Sequence, residues 1–174
     1  MSEEEPSPTQ LNISVEDRTG LAGADVDRWA TLASNVLVAE GVAAGALDIL
    51  FVSVEDMAIL NQEHMGSTGA TDVLAFPLDA PHVVVEPERP VTSSKLEGVD
   101  VHLGDIVICS EVAENQAADH AGTVEAELSL LVIHAVLHIL GHDHVSVDER
   151  RTMQSRERVH MEAIGFSHPE AAAL

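Results

Sequence analysis

One stretch, His134–His144, carries three histidines at a spacing that restricts how the chain folds locally; it reads HAVLHILGHDH. On an α-helix, residues four apart lie one turn apart and within about 40° of the same face. His134 and His138 can therefore direct their rings to one point. Gly141 can adopt the left-handed conformation that ends a helix, so that the chain turns back and brings His144 to the same point.

Three neutral imidazoles are a ligand set that suits zinc, and three protein ligands leave a fourth position for water. We therefore interpret the motif as an open, catalytic site that holds one Zn2+ per chain through His134, His138 and His144. The alternative is that histidines on an apolar helix are core or capping residues. The apolar run at 128–133 and the position of the glycine favour the metal site. His142 points elsewhere on the turn and is predicted to stay outside the site.

Composition excludes several classes of protein. The chain has 30 acidic residues against 8 lysines and arginines, a net charge of −22, which argues against general affinity for DNA or other nucleic acid. Bias in genome composition or salinity is the simpler explanation of the acidity. The single cysteine excludes an internal disulfide and fits a reducing compartment. The sequence lacks a secretory signal and a membrane-spanning run, so we expect a cytoplasmic protein.

The order of the predicted elements favours an α+β or mixed α/β fold: a small mixed sheet packed against about five helices, one of which carries the histidine motif. Strands are predicted at 11–16, 46–54, 73–77 and 103–109. Helices are predicted at 25–40, at 55–63, from Ser110 to about residue 121, from Thr123 through the histidine motif, and from Asp148 to about residue 164. Ser110 and Thr123 are the predicted N-caps. Glu125 and Glu127 lie in the first turn of the helix that Thr123 begins, where their negative charges interact favourably with the helix dipole.

We expect a single metal-dependent hydrolase domain at residues 11–165. A disordered acidic N-terminus at 1–10 would precede it, and a C-terminal tail at 166–174 would follow it. Residues 78–100 contain three of the prolines, and we predict a hairpin-like excursion there with a short strand at 83–85. Cys109 is predicted to be a small buried apolar residue.

The spacing of the three histidines also matches that of the metzincin peptidases, but one residue argues against proteolysis. In those enzymes the residue after the first histidine is a glutamate that acts as general base. Here that residue is Ala135, and a peptidase without its base would lose a factor of roughly 10²–10⁴ in rate. Hydrolysis of a phosphodiester depends less on a carboxylate base, because zinc activates water and polarises a phosphoryl oxygen.

Several motifs together resemble the YbeY family of endoribonucleases, the ribosomal-RNA maturation factors. They are the histidine motif, LGDIVIC at 103–109, and TDVLAFP at 71–77 preceded by MAILN at 57–61. The resemblance covers about residues 11–165 and implies a single-domain, zinc-dependent enzyme that cleaves single-stranded RNA. It implies an α+β fold with a mixed four-stranded sheet and with the zinc ligands on one helix. It further implies that His134, His138 and His144 are the zinc ligands, that Thr71–Pro77 lines the cleft beside the metal, and that Asp105 lies on a strand bordering the cleft.

One departure from that family concerns a positive charge. Many members carry an arginine, preceded by an aromatic residue, where this chain has Met65 preceded by His64. An arginine there would bind a phosphate and stabilise the transition state, which methionine cannot do. His64 is a candidate for a weaker donor.

Basic residues cluster directly after the histidine motif, and four of the eight lie there: Arg150, Arg151, Arg156 and Arg158. Arg151 and Arg158 are seven residues apart and share a helix face. They form either a positive strip for an RNA backbone or ordinary helix pairs, such as Arg158 with Glu162.

Two aspartates have both a functional and a structural interpretation. Each could orient a ligand histidine through its second nitrogen. Asp72 follows Thr71 at the start of a strand, and we predict a turn or capping role for it. For Asp105 both interpretations stay open.

Three functions are consistent with these residues. The first is a zinc-dependent endoribonuclease acting on ribosomal RNA, in small-subunit RNA maturation and ribosome quality control, with the small ribosomal subunit or its proteins as partners. The second is a ribosome-assembly binding factor whose metal is mainly structural, which Met65 and the negative charge favour. The third, a zinc metallopeptidase, is disfavoured by Ala135.

Overall fold

The computed structural model of the chain describes residues 10–21, 25–78 and 101–169. Within these ranges the chain forms, in order, β1 (Gln10–Asp17), α1 (Val26–Ala39), β2 (Ala44–Phe51), α2 (Val54–Met65), β3 (Val73–Pro77), β4 (His102–Ile108), α3 (Ser110–Ala117), α4 (Val124–Ile139) and α5 (Val147–Ala163). The four strands form one sheet in the order β1-β2-β4-β3. The β1–β2 and β2–β4 pairs are parallel, whereas β3 runs antiparallel to β4. The predicted α+β fold, with a mixed four-stranded sheet and five helices, is confirmed.

The two faces of the sheet are covered by different helices. Ile49 and Ile106, on the central strands, belong to the main apolar core with α1 and α4. Leu50 and Val107 belong to a second, smaller core, in which Met57 of α2 packs against the opposite face. Because successive side chains of a strand point to opposite faces, neighbouring residues on β2 and β4 contribute to different sides of the molecule.

Helix α4 lies at the centre of the fold, where it contacts α1, α3, α5, β3 and β4. Its N-cap is Thr123, as predicted, and the Thr123 side chain accepts a hydrogen bond from the backbone N–H of Ala126. Every residue from 126 to 140 is buried except His134 and His138, which are half-buried. A helix that is apolar on nearly all sides is stable only when it is enclosed, and the two histidines occupy the positions where this enclosure is open.

Gly104 allows α4 and β3 to approach β4 closely. The register of β4 against β2 shifts at this point, because Gly104 pairs with Leu47 while the residue two positions before it pairs with Ala46. A Cβ atom on Gly104 would lie 2.5 Å from the carbonyl oxygen of Phe76 and 2.6 Å from Cδ1 of Ile139. No other residue type fits this contact without displacing the backbone, so the glycine fixes the distance between the sheet and α4.

Two helices begin at caps that differ from the prediction. Helix α2 has Ser53 as its N-cap, and the Ser53 side chain accepts a hydrogen bond from a backbone N–H in the first turn. Strand β2 therefore ends at Phe51 rather than at the predicted residue 54. Helix α5 begins one residue before the predicted Asp148. Ser146 is its N-cap, and Ser146 and Glu149 exchange the two hydrogen bonds of a capping box.

Helix α3 also differs from the prediction. Ser110 is not the N-cap: Cys109 holds that position, without a side-chain hydrogen bond, and Ser110 is the first helical residue. The helix ends at Ala117 rather than near residue 121. Cys109 is fully buried among apolar residues, as predicted.

Some predictions concern residues outside the described ranges. The predicted disordered N-terminus lies there except for Gln10, which begins β1, and the predicted excursion at 78–100 lies there except for Leu78. The strand predicted at 83–85 is within that excursion. Along the described part of the chain, no helix has the length and apolar character needed to cross a membrane.

A buried carboxylate, Glu40, joins the end of α1 to α5. Its Oε1 lies 2.7 Å from Nε2 of His160, and its Oε2 lies 3.7 Å from Nε of Arg156 and 3.8 Å from Nε2 of His142. Burial alone would raise the pKa of Glu40. The hydrogen bonds from His142 and His160 and the charge of Arg156 outweigh burial and hold the pKa at about 2.

The pKa of Glu40 predicts how stability depends on pH. A carboxylate whose pKa is depressed by folding stabilises the folded state above its unfolded pKa of about 4.5 and loses this contribution as the pH falls towards about 2. We expect Glu40→Gln to lower the free energy of unfolding by on the order of 2 kcal/mol at pH 7. Urea titrations should show that this difference shrinks between pH 5 and pH 3.

The exposed Glu114→Gln, on α3, is the matched control for loss of one carboxylate and should show no such pH-dependent difference. If the free energies of unfolding of the wild type and Glu40→Gln differ as much at pH 3 as at pH 7, the depressed pKa of Glu40 is contradicted.

Candidate metal centre

The three histidines of the motif converge as their spacing predicts. The rings of His134 and His138 project from adjacent turns of α4, with centroids 4.5 Å apart. Gly141 has a φ of +93°, the left-handed conformation that ends the helix and turns the chain back. The ring of His144 consequently lies 5.8 Å from that of His134 and 5.1 Å from that of His138, measured between centroids.

The donor set fits a divalent metal ion. One ring nitrogen from each histidine can be chosen such that all three lie within 4.8 Å of one another. Burial, followed by the neighbouring His134 and His144, lowers the pKa of His138, which favours the neutral imidazole that coordination requires. Three protein nitrogens would leave room on such an ion for water or substrate.

A buried glutamate that the sequence analysis missed orients the first histidine. Oε1 of Glu157, on α5, lies 2.6 Å from Nδ1 of His134, which leaves Nε2 of that ring free for a ligand. Oε2 of Glu157 lies 2.8 Å from Nε2 of His168. Burial raises the pKa of Glu157, but the hydrogen bonds from the two histidines outweigh burial and hold the pKa at about 2. A carboxylate on the second nitrogen fixes both the tautomer and the orientation of a ligand histidine.

A sequence signal for Glu157 existed. The buried positions of α5 include Met153, Glu157 and Met161, spaced four residues apart, so the glutamate occupies a core position on an otherwise polar helix. An acid at such a position requires a buried partner. The partner is His134 because of the way α5 packs against α4. The spacing of residues within α5 does not predict this packing. His168, in the segment that we assign to a C-terminal tail, is buried beside them.

A cavity of about 360 Å³ opens beside the histidines. His134 and His144 line it together with Asp72 and Val73, so the start of the 71–77 motif does border the histidines. Arg150 also lines the cavity and supplies a positive charge there.

Asp72 has the structural role that we predicted for it. Its Oδ1 accepts hydrogen bonds from the backbone N–H of Val73 and the hydroxyl of Thr71, and its Oδ2 accepts one from Nε2 of Gln116. Nε2 of Gln116 also donates to Glu127, which is fully buried. Glu127 therefore does more than interact favourably with the helix dipole: its hydrogen bond with Gln116 joins α4 to α3.

Asp105 does not orient any of the three histidines. It lies 2.9 Å from Nε2 of His102 and faces the side of the sheet opposite to α4. His64 borders that same opposite groove, where its ring meets the edge of Phe76 at 4.9 Å between centroids. Met65 is exposed at the end of α2. The position of the missing arginine therefore carries no positive charge, and His64 does not border the cavity of the histidines.

Two further residues of the motif point away from its centre. Ala135 is completely buried, so a side chain at this position would face the core rather than the cavity. His142 turns towards Glu40, at 3.8 Å, and lies outside the group of three ligand nitrogens, as predicted.

The arginines divide between the cavity and the surface. Arg150 borders the cavity, whereas Arg151 is largely exposed and lies 3.9 Å from Asp148. Arg158 is half-buried. The pair of Arg158 with Glu162, given as an example of the second interpretation of this cluster, is not found among the ion pairs that join described residues.

Comparison with known proteins identifies the family. A family model described as Endoribonuclease YbeY matches residues 13–165. A protein named Endoribonuclease YbeY from Salinispora tropica is 43% identical over 144 residues, covering 82% of this chain and 89% of the relative. One of the same name from Thermobifida fusca is 40% identical over 146 residues, covering 83% and 88%.

A solved structure supports the fold. The solution structure of TM1509 from Thermotoga maritima superposes with a TM-score of 0.53, covering 89% of this chain and 91% of that chain at 22% identity. The family model matches residues 13–165, and each of the two relatives aligns with more than four fifths of this chain. The chain belongs to the YbeY family of endoribonucleases.

Proposed function

We propose that this chain is a zinc-dependent endoribonuclease that cuts single-stranded RNA at the three-histidine site. Its substrate would be ribosomal RNA in the cytoplasm, during small-subunit RNA maturation and ribosome quality control. The observation that carries the proposal is the convergence of three imidazole nitrogens within 4.8 Å beside an open cavity. The similarity to proteins named Endoribonuclease YbeY supports RNA as the substrate class.

The three histidines, His134, His138 and His144, would hold the ion. Bound there, Zn2+ would supply Lewis acidity for activating water and polarising a phosphoryl oxygen. Glu157 holds the ring of His134 by its Nδ1, and the burial of Glu157 keeps that ring in one orientation. This support matters because a site that is loose by about 1 Å loses much of its catalytic power.

Arg150 would bind a phosphate of the substrate. It borders the cavity of the histidines, and its guanidinium reaches the backbone oxygen of His144 at 3.4 Å. A long contact to a neutral carbonyl leaves most guanidinium donors available for a phosphate, which arginine binds through two parallel hydrogen bonds. Because the protein has a net charge of −22, such local positive charge is needed for an RNA backbone to approach.

The shape of the cavity favours a flexible strand. His134 is recessed, with 28% of its side chain exposed, and the cavity has a volume of about 360 Å³. A phosphodiester must leave regular duplex geometry to reach such a point, which an unpaired strand does at little cost.

A second candidate function is a binding factor for ribosome assembly with a mainly structural metal. Met65 favours it, because no cation occupies the position where many relatives carry an arginine. The acidity of the chain favours it as well, because few phosphate contacts are available for a nucleic-acid substrate. A peptidase is disfavoured, because Ala135 is buried and lacks a base.

Cleavage of ribosomal RNA separates the nuclease from the binding factor. His138→Ala should lower the cleavage rate by about 100-fold or more, because it removes one nitrogen from the proposed metal site. Met65→Arg should raise the rate by about tenfold, because it restores the arginine that the family resemblance implies as a phosphate-binding residue. His142→Ala, in the same loop but turned to Glu40, is the control and should cleave at close to the wild-type rate.

If neither His138→Ala nor Met65→Arg alters cleavage, while ribosome assembly still fails without the protein, the binding factor is the better assignment.

Substrate affinity tests the role of Arg150. Arg150→Gln should raise the KM for a single-stranded RNA by about tenfold, because it removes a charged hydrogen bond to phosphate. Arg151→Gln is the matched control: it is adjacent in sequence but largely exposed, beside Asp148. Equal effects of the two variants would show that only overall charge matters.

Metal affinity tests the role of Glu157. Glu157→Gln should weaken Zn2+ binding by about 10- to 100-fold, because His134 loses the charged partner that fixes its ring. The exposed Glu162→Gln, on the same helix, should bind Zn2+ as the wild type does. A competition titration against a chelator of known affinity measures both. Unchanged affinity in Glu157→Gln would limit this glutamate to a role in folding.

A further inference from the structure

A second group of ligand-type side chains lies on the opposite face of the sheet from α4. Nε2 of His102 is 2.9 Å from Oδ1 of Asp105 and 3.7 Å from Oδ2 of Asp48. One ligand atom from each of the three residues can be chosen such that all lie within 4.8 Å of one another. Ligands bound to one ion at about 2.0–2.2 Å are separated by roughly 3–4 Å, so these spacings match the edges of a coordination polyhedron.

Rigid strands hold the three side chains in place. Asp48 and Asp105 are direct partners in the parallel β2–β4 pair. The register shift before Gly104 then matters, because it changes the alternation of β4 and brings His102 to the same face as Asp105. Side chains on paired strands need little reorganisation to bind, which is the condition for a preformed site.

The geometry points to a binding site for a divalent first-row transition cation formed by Asp48, His102 and Asp105. Two carboxylates balance the charge of a divalent ion. The imidazole distinguishes the site from the all-oxygen sites that Mg2+ and Ca2+ prefer and suits Zn2+ or Mn2+. The site is distinct from the three-histidine centre and does not depend on the proposed nuclease activity.

Exposure and local charge agree with an exchangeable ligand site. The side chains of Asp48, His102 and Asp105 are 53%, 34% and 48% exposed, so the group is not a core contact sealed from solvent. Asp48 and Asp105 border a groove of about 630 Å³, to which Glu16 adds another carboxylate. Two carboxylates directly opposite each other on neighbouring strands repel, and a cation between them would relieve that repulsion.

Titration of the metal-free 174-residue chain with Zn2+ in a calorimeter tests the proposal. The wild type should bind one equivalent of Zn2+ at Asp48, His102 and Asp105. The affinity for this equivalent should fall by about tenfold or more in Asp48→Asn and in Asp105→Asn, since each variant loses a charged ligand. His102→Ala should weaken the same equivalent and identify the nitrogen ligand. Circular dichroism of each variant checks that the substitutions leave the fold intact.

Two further variants assign the binding. Glu16→Gln removes a carboxylate from the same groove but not from the ligand group, and should leave the affinity nearly unchanged. His138→Ala should keep this equivalent while losing the one at the three histidines, so a failure of either metal site is seen separately. The proposal is overturned if the aspartate variants take up as much Zn2+ as the wild type, with the same affinity.

Discussion

The burial of α4 is the constraint on which the rest of the molecule depends. Fifteen consecutive residues, 126 to 140, are enclosed by three helices and two strands, and only His134 and His138 interrupt the enclosure. Burying each large apolar side chain contributes about 1.5–3 kcal/mol, so this one helix supplies much of the hydrophobic stabilisation. Because the helix cannot rotate or slide without exposing apolar surface, the two histidines are fixed relative to the sheet and to the loop that carries His144.

Histidines also serve as the partners of the buried acids. The chain has 10 histidines but only 8 lysines and arginines against 30 acidic residues. Glu40, Glu127 and Glu157 are each in contact with a histidine. Two of these pairs hold helices together: Glu40, at the C-cap of α1, with His160 of α5, and Glu157 of α5 with His134 of α4. A buried carboxylate without a partner would cost several kcal/mol, so these contacts decide how α5 can pack. The same set of contacts holds α5 in place and orients a histidine of the proposed metal centre.

The sheet separates two polar regions with different surroundings. On the α4 side, His134 and His138 are half-buried and His144 is exposed, and Arg150 borders the same cavity as His134 and His144. On the other side, Asp48 and Asp105 border an open groove between the sheet and α2, and His102 contacts both aspartates. Side chains alternate between the two faces along β2 and β4. Asp105 therefore faces the groove, whereas the adjacent Ile106 belongs to the main core.

The sequence by itself determined the features that depend on local geometry. Helical spacing placed His134 and His138 together, the left-handed preference of glycine at Gly141 returned His144, and alternating strands and amphipathic helices predicted the α+β fold. It did not determine contacts between elements distant in the chain. Glu157 is 23 residues from His134 in sequence, and Asp105 is assigned to His102 rather than to the histidine motif only once β4 is registered against β2. Local conformation is set by backbone torsions and nearest neighbours. Which buried acid meets which histidine is set by the packing of whole helices against the sheet, and this became known only from the tertiary structure.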